Sequence, residues 1–185
     1  MNTKRLLMSL TTAAAFSAAA AQTAADGFKY TDEQFADIQM LRYRVEGFEK
    51  LTLKEKTFIY YLQEAALQGR DILFDQNGRY NLRIRRMLEK VYTDYKGDRA
   101  SADWHGFVTY LKRFWFSSGP HHHYGCEKFE PGFSEQWLRN ALVDINYEEA
   151  TCVPRTACGK SWEELLPVIF DPAVMPMRVN QKDGD

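Results

Sequence analysis

Helical periodicity is the feature that most constrains how this chain can fold. Along most of the sequence after Tyr30, apolar residues recur three and four positions apart, and capping residues punctuate them. Thr52 followed by Glu55 forms the T-x-x-E capping box that opens a helix. The apolar stripe behind this box, which ends before Gly69, consists of Phe58, Tyr61, Leu62 and Ala65. This segment is therefore predicted to be an amphipathic helix that packs through its stripe.

A helix is also predicted at the start of the periodic region. Thr31 and Gln34 resemble another capping box, and one helical face continues as far as Gly47. The residues of that face are Phe35, Ile38, Leu41 (or Arg42) and Val45. We expect no strand of alternating polarity except a short candidate at 124–129.

The third predicted helix runs from about Tyr80 to Tyr95, after a turn at Asn77-Gly78, with Gly97 in the C-cap position. Its apolar stripe consists of Ile84, Met87, Leu88, Val91, Tyr92 and Tyr95. The other face, with Arg83, Arg85, Arg86 and Lys90, is predicted to be solvated rather than a binding patch, since acidic residues dilute it.

A fourth helix should begin near Ser101 or Asp103 and end at Gly119-Pro120. Its aromatic stripe, a pattern typical of a core, consists of Trp104, Phe107, Val108, Leu111 and Trp115.

Two shorter helices complete the pattern. Ser134 can cap a helix whose apolar residues are Trp137, Leu138, Ala141, Leu142 and Ile145. Ser161 with Glu164 opens a last helix that Asp171-Pro172 should stop, after a surface loop at 147–160. This many amphipathic helices can bury one another, so the sequence predicts a mainly α, bundle-like fold.

The first residues have the composition of a secretory signal. Lys4 and Arg5 precede an uncharged stretch that ends in Ala19-Ala20-Ala21, the A-x-A pattern for cleavage before Gln22. We therefore expect residues 1–21 to be a signal peptide, residues 22–185 to form the mature chain, and the protein to be exported to the periplasm. A retained membrane anchor is disfavoured because the run is short and rich in Ser, Thr and Ala. No membrane association is expected of the mature chain.

The net charge and the number of cysteines exclude two further classes of protein. A net charge of -1 gives no field that would gather nucleic acid, so nucleic-acid binding is not expected. Three cysteines are too few for a disulfide scaffold in an exported protein. Cys152 and Cys158 could close a small ring, or they and Cys126 could be free thiols packed as small apolar groups.

One dense cluster of reactive side chains lies at 119–127. It contains His121, His122, His123 and Cys126, and imidazole and thiol groups are natural ligands of zinc or copper. In an extended segment His121 and His123 would point to one side. The alternative is that these side chains line a cleft or satisfy backbone carbonyls. No histidine is followed by glutamate, and the P-loop, G-x-S-x-G and G-x-G-x-x-G motifs are missing.

Three stretches of the chain resemble the amino-terminal region of the bacterial dipeptidyl peptidase III family. They are residues 69–86 (GRDILFDQNGRYNLRIRR), residues 110–134 (YLKRFWFSSGPHHHYGCEKFEPGFS) and residues 167–185 (PVIFDPAVMPMRVNQKDGD). The resemblance spans about residue 30 to the last residue and is weakest across 147–160.

The resemblance implies a zinc exopeptidase that removes dipeptides from the amino ends of short peptides in a cleft between two lobes. This chain would supply the helical N-terminal part of the lower lobe, opposite the metal. The family's zinc helix carries a His-Glu-x-x-x-His hexapeptide, which this sequence does not contain. We therefore expect a truncated, inactive fragment without catalytic or metal-binding residues, whose partners are short peptides and the missing C-terminal portion of the enzyme.

One site assignment follows from the resemblance residue by residue. In family members an aromatic-glycine pair lines the peptide-binding cleft, and Tyr124-Gly125 matches it. The resemblance implies that Tyr124 packs on substrate side chains and that Gly125 allows a close backbone approach. Two other functions remain possible. One is an exported metal- or peptide-binding helical module that uses His121, His123 and Cys126, and the other is a helical interaction protein with a stable partner and no ligand.

Overall fold

The computed structural model describes residues 27–147 and 162–177, which fall into two compact units that divide between Glu49 and Lys50. The predicted signal peptide, most of the predicted loop at 147–160, Cys152, Cys158 and the Ser161 cap lie outside the described residues.

The first unit contains a two-stranded antiparallel hairpin. Strand β1 (Thr31–Phe35) pairs with strand β2 (Ile38–Leu41) in a register that sets Phe35 opposite Ile38 and Thr31 opposite Leu41. One irregularity between Thr31 and Gln34 shifts this register. The strands are joined at Ala36, whose φ of 48° lies in the left-handed region that tight turns use.

The helix predicted from Thr31 to Gly47 is therefore wrong. The side-chain amide of Gln39 donates to the backbone carbonyls of Asp32, Glu33 and Met40, at 3.4, 3.2 and 3.0 Å, and so ties the two strands together. Apolar residues at 28 and 30 and at 41, 43 and 45 also recur at every second position, which is the period of a strand. Over so short a segment this period competes with the helical one.

The second unit is helical. Its helices are α1 (Leu53–Gln68), α2 (Arg70–Asn77), α3 (Asn81–Asp94), α4 (Ala102–Ser117), α5 (Glu135–Asp144) and α6 (Leu166–Phe170). Two 3-10 helices, Phe48–Lys50 and Trp162–Leu165, precede α1 and α6. The prediction of a mainly α protein is confirmed. Among the described helices, none combines the length and the apolarity that crossing a bilayer requires.

The predicted capping residues begin three of these helices. Thr52 and Glu55 form both hydrogen bonds of the capping box of α1. Ser101 accepts from the backbone N–H of Trp104 at the start of α4, and Ser134 does the same for Trp137 at the start of α5. The sequence pattern did not predict α2, a helix of eight residues between Gly69 and Gly78.

The carboxyl end of α3 differs from the prediction. The C-cap is Tyr95 in an extended conformation, not Gly97. The Arg99 guanidinium donates to the backbone carbonyls of Tyr92 and Tyr95, at 3.1 and 2.9 Å, and so satisfies carbonyls that the helix leaves unpaired. A cationic side chain thus does at this helix end what the glycine was expected to do.

The basic face of α3 is only partly solvated, which corrects the prediction. Arg83 pairs with Glu164 at 2.6 Å, and Arg85 pairs with Asp71 at 2.8 Å and with Glu89 at 2.7 Å. Both arginine side chains are about one-fifth exposed, at 20% and 17%. They attach α3 to α2 and to the 3-10 helix before α6.

The core lies between α3, α4, α5 and α6 and is rich in aromatic rings. Trp104 stacks on Tyr95 with 5.2 Å between ring centroids, and the Trp137 ring meets Phe107 at the same distance. The largest fully buried side chains are Ile84, Met87, Leu88, Phe107, Tyr110, Leu111, Phe114, Leu138, Leu142, Leu165, Leu166 and Ile169. Close packing of these helices fixes the position of the chain that connects α4 to α5.

Candidate functional site

The candidate site is the connection between α4 and α5, which begins with a sharp turn. Ser118, the C-cap of α4, has a left-handed φ of 54°, and the Gly119 N–H bonds back to the carbonyl of Phe114 at 3.1 Å. The buried side chain of Asn81 donates to the Ser118 carbonyl at 3.1 Å. A Cβ on Gly119 would overlap the Asn81 amide, so the glycine permits this close approach.

The chain then forms a small loop closed by an antiparallel bridge between His121 and Lys128. The His122 N–H donates to the Glu127 carbonyl at 2.8 Å, and the Cys126 N–H donates to the His122 carbonyl at 3.1 Å. Cys126 has a left-handed φ of 62°. The strand considered for 124–129 is thus no regular strand, since a turn at 123–125 precedes a single bridging residue.

The imidazole of His122 organises the tip of this loop. Its Nδ1 accepts hydrogen bonds from the backbone N–H groups of Tyr124 and Gly125, at 3.2 and 2.9 Å. Two donors on one ring nitrogen require that nitrogen to carry a lone pair and no proton. His122 therefore has a structural role, which agrees with the interpretation that a loop histidine satisfies backbone groups, although these are N–H groups rather than carbonyls.

Tyr124 is the most exposed aromatic side chain of the loop, with 85% of its surface accessible. Its ring packs against the His123 ring, with 4.3 Å between centroids, and His123 in turn meets Phe116 of α4 edge to face at 4.9 Å. The tyrosine is thus displayed toward solvent on a stack of rings that begins on a helix. Such an exposed, supported ring can contact apolar parts of a ligand.

Gly125 lies beside Tyr124 at the tip. A Cβ at this position would meet the carboxylate of Glu127, which is the end of a flexible, exposed side chain. The backbone of Gly125 is not left-handed. The glycine is therefore not required by the backbone conformation, and its direct effect is to make room for the Glu127 carboxylate.

His121 faces away from the tip, toward a cavity of about 130 Å³. Residues from three separate stretches of sequence line this cavity, including Asn81, His121, Val168 and Met175. Burial and the nearby Lys128 ammonium lower the pKa of His121, and a hydrogen bond with the Met175 backbone offsets part of that effect. The surroundings of His121 therefore favour the neutral form of the imidazole.

Lys128 connects the loop to the segment that follows α6. Its Nζ donates to the backbone carbonyls of Val168 and Asp171, at 3.0 and 2.8 Å, and to that of Val174. Desolvation lowers the pKa of this lysine, and the Asp171 carboxylate raises it. Three carbonyl acceptors match the three donors of an ammonium group, so the half-buried lysine links the two segments.

The loop does not have the extended shape that the alternative of a metal site at His121, His123 and Cys126 assumed. The turn at 123–125 means that the segment is not extended, so the condition for His121 and His123 to share a side is not met. In the described parts of the chain, no three or more His, Cys, Asp and Glu side chains are grouped so as to hold a metal ion.

Sequence reasoning missed Lys128, Asn81 and Met175 as organisers of this region. Asn81 and Lys128 have partners 37 to 46 residues away along the chain. No local sequence pattern predicts contacts over such separations. A polar Asn81 among apolar residues at the start of a helix was the one available hint.

No protein-family model matches this chain, and a search of curated proteins finds no match. The resemblance to dipeptidyl peptidase III therefore stays a prediction from the three stretches quoted above.

Proposed function

We propose that this chain is the N-terminal portion of a zinc-dependent exopeptidase similar to dipeptidyl peptidase III, in the lobe opposite the zinc. It would contribute a wall of the cleft that binds short peptides. The observation that carries the proposal is Tyr124, an exposed ring at the position where the resembled family has a cleft aromatic. Residues 1–21 would be removed on export to the periplasm.

The way in which the three resembling stretches meet in space supports this proposal. Residues 69–86 form α2 and the start of α3, residues 110–134 form the end of α4 and the candidate loop, and residues 167–185 include α6. Asn81 bonds to Ser118, and Lys128 bonds to Val168 and Asp171. Sequence features from separate parts of the chain thus build one local structure around the loop.

The surface of α1 supports the idea that more protein packs on this chain. None of the sixteen residues of α1 is buried. Its exposed large apolar side chains are Leu53, Phe58, Ile59, Tyr60, Tyr61 and Leu62. A capped helix with so much accessible apolar surface is typical of an interface, and the remaining C-terminal portion of the same enzyme is the partner that the resemblance implies.

The loop is suited to contact a peptide through a side chain rather than through its backbone. The N–H groups of Tyr124 and Gly125 already donate to His122, so they are not free for a substrate carbonyl. The Tyr124 ring is accessible and can pack on an apolar peptide side chain. Zinc would polarise the scissile carbonyl in the complete enzyme. The residues described here would bind and orient the peptide.

Peptide binding by the purified mature chain tests the proposal. Short peptides with apolar side chains, followed by ¹⁵N-edited NMR, should shift the resonances of residues 123–126. Tyr124→Ala should weaken binding about tenfold, whereas Tyr43→Ala, which removes a similarly exposed ring (79%) in the first unit, should leave it unchanged. Equal binding by all three proteins would contradict the assignment of Tyr124.

Activity gives an independent test. With added zinc, the mature chain should not hydrolyse a dipeptidyl arylamide, because it contains no His-Glu pair to form the family's zinc helix. Turnover at ordinary enzymatic rates would contradict the proposal. Reading the gene past codon 185 for a continuing frame that encodes the hexapeptide tests the relation to the complete enzyme directly.

The alternative is a metal- or peptide-binding module that uses the loop from His121 to Cys126. Titration of zinc or copper(II) into the chain and into the variant His121→Ala/His123→Ala distinguishes it from the enzyme fragment. Equal and weak binding by both proteins would argue against the metal-binding form of this alternative. The third function, a helical interaction protein, would be favoured by a stable protein partner without any ligand.

A further inference from the structure

The cavity beneath the candidate loop contains an unusual set of side chains. It has a volume of about 130 Å³, and its walls include His121 together with Met175 and Met177. These residues come from the start of the loop and from the segment after α6. An imidazole and two thioethers at one cavity are soft, uncharged donors, which is not the composition of an ordinary polar cleft.

The His121 ring adds a second feature at this cavity. Its Nε2 is buried and has no hydrogen-bond partner among the residues that the structure describes. Native proteins rarely leave a buried polar atom unpaired, and at the wall of a cavity a bound group can pair with such an atom.

The segment that leads into the two methionines is held by hydrogen bonds that Lys128 donates to its backbone. Lys128 binds the carbonyls of Val168, Asp171 and Val174, and this fixes the segment that leads into Met175. The backbone of Met175 is left-handed, with a φ of 53°, which is uncommon for a residue with a side chain. Met175 and Met177 both line the cavity, and the proline between them restricts the backbone.

We propose that His121, Met175 and Met177 form a binding site for copper(I). Thioether sulfur selects copper(I) over zinc, calcium and magnesium, and imidazole is a good ligand of the same ion. Charge favours a monovalent ion as well, because the Lys128 ammonium near His121 repels a divalent cation more strongly than copper(I). This site uses neither His123 nor Cys126, and it does not depend on the proposed peptidase function.

Anaerobic titration with copper(I) against a chromogenic chelator tests the proposal. The titration uses the mature chain with Cys126, Cys152 and Cys158 replaced by Ser, because thiolates bind copper(I) themselves. We expect one equivalent to bind. Met175→Leu/Met177→Leu, which keeps apolar volume, should weaken binding at least tenfold. Met40→Leu is the matched control, because Met40 is 42% exposed, close to the 41% and 40% of the two cavity methionines.

A second measurement avoids dependence on the cysteine replacements. In the native sequence with its thiols alkylated, copper(I) should shift the ¹³C-methyl NMR signals of Met175 and Met177 and leave that of Met87 in place. His121→Gln should remove the effect. The proposal is overturned if the leucine pair binds as tightly as its parent, if neither methyl signal shifts, or if zinc competes at equal concentration.

Discussion

At the scale of single residues, Tyr110 is a core side chain that is well buried although its hydroxyl makes no hydrogen bond to the described residues. The side chain is 2% exposed, and its hydroxyl has no hydrogen-bond partner among the described residues. Burial raises the pKa of the phenol, since the charged form would be desolvated. The ring itself is well packed, edge to face on Phe133 with 5.6 Å between centroids.

Tyr110→Phe should therefore keep the packing and remove an unsatisfied group. We expect the free energy of unfolding to be unchanged or to rise by up to about 1 kcal/mol, because an unpaired buried polar group costs about 1–3 kcal/mol. Urea unfolding followed by circular dichroism measures this. Tyr124→Phe, which removes an exposed hydroxyl, is the control and should have no effect. A loss above about 1 kcal/mol in Tyr110→Phe would reveal a partner for the hydroxyl.

Gly106 is a second residue whose neighbours decide the effect of a substitution. It lies inside α4, where alanine ordinarily stabilises a helix by about 1 kcal/mol. A Cβ here would overlap the backbone carbonyl of Gly132, which cannot move like a side chain. We expect Gly106→Ala to lower the free energy of unfolding by about 1–3 kcal/mol, since overpacking against a backbone outweighs the helix preference.

Gly69→Ala provides the matched control for that experiment. Gly69 lies between α1 and α2 with a φ of -76°, and a Cβ there would be 3.5 Å from the Ala66 carbonyl, an ordinary contact. Its unfolding free energy should be unchanged or slightly higher, measured by the same urea titration. Equal losses in both variants would show that helix geometry, not the approach to Gly132, controls position 106.

At the scale of elements, the capping box of α1 stabilises the start of the helix to an extent that depends on pH. The Thr52 N–H and hydroxyl both donate to the Glu55 carboxylate at 2.8 Å, and the Glu55 N–H donates back to the Thr52 hydroxyl at 3.3 Å. These bonds lower the pKa of Glu55 below its ordinary value of 4.5. A depressed carboxyl pKa means that the contribution to helix stability is complete above pH 4.5 and is lost as pH falls through the lowered pKa.

NMR titration of the Glu55 carboxyl carbon should thus give a midpoint below 4.5. In Thr52→Ala the midpoint should return toward 4.5, because the hydroxyl bond is gone and only the backbone donor remains. Asp94, whose pKa is lowered by hydrogen bonds from Lys90 and Thr93, provides a carboxylate whose midpoint should not respond to that substitution. An unchanged Glu55 midpoint in Thr52→Ala would contradict the role of the threonine hydroxyl.

The sequence predicts a helix or strand well when the interactions that form it connect residues close together in the chain. Capping side chains and a long apolar period act within one or two turns, which is why α1, α3, α4 and α5 were predicted within a few residues. In and around β1 and β2 the apolar spacing fits both a strand and a helix, and only the structure shows the turn at Ala36 and the hydrogen bonds of the Gln39 amide that connect the strands. The short α2 lacks a side-chain cap, so the sequence pattern did not predict it.

The candidate loop divides in the same way. Its richness in histidine and the position of Tyr124 are visible in the sequence, as is the exposure expected of a loop. The cavity behind it depends on contacts across more than thirty residues, through Asn81 and Lys128, and these require the folded structure. The two histidines also have different roles, since His122 accepts from backbone N–H groups and His121 lines the cavity. No local sequence pattern predicts this difference.

At the scale of the whole molecule, the contrast between α1 and α3 bears on how the chain behaves alone. Both helices contain an apolar stripe, yet Ile84 and Leu88 of α3 are fully buried, whereas Phe58 and Leu62 of α1 are 64% and 53% exposed. Burial contributes about 25 cal/mol for each Å² of apolar surface, so covering a few hundred Å² on α1 would add several kcal/mol. That amount is comparable with the stability of a typical domain. The isolated chain should therefore self-associate or be only marginally stable.

Phe58→Glu/Leu62→Glu separates the contribution of this surface from that of the core. Because both side chains are largely exposed, the free energy of unfolding of the monomer should change by no more than about 0.5 kcal/mol for each substitution. Sedimentation equilibrium should show less self-association than in the parent chain, since charge on both molecules opposes burial of the same face. Leu88→Ala, a core truncation, should instead cost about 2–5 kcal/mol. A parent chain that stays monomeric and unfolds reversibly at a midpoint independent of concentration would mean that the α1 surface needs no partner.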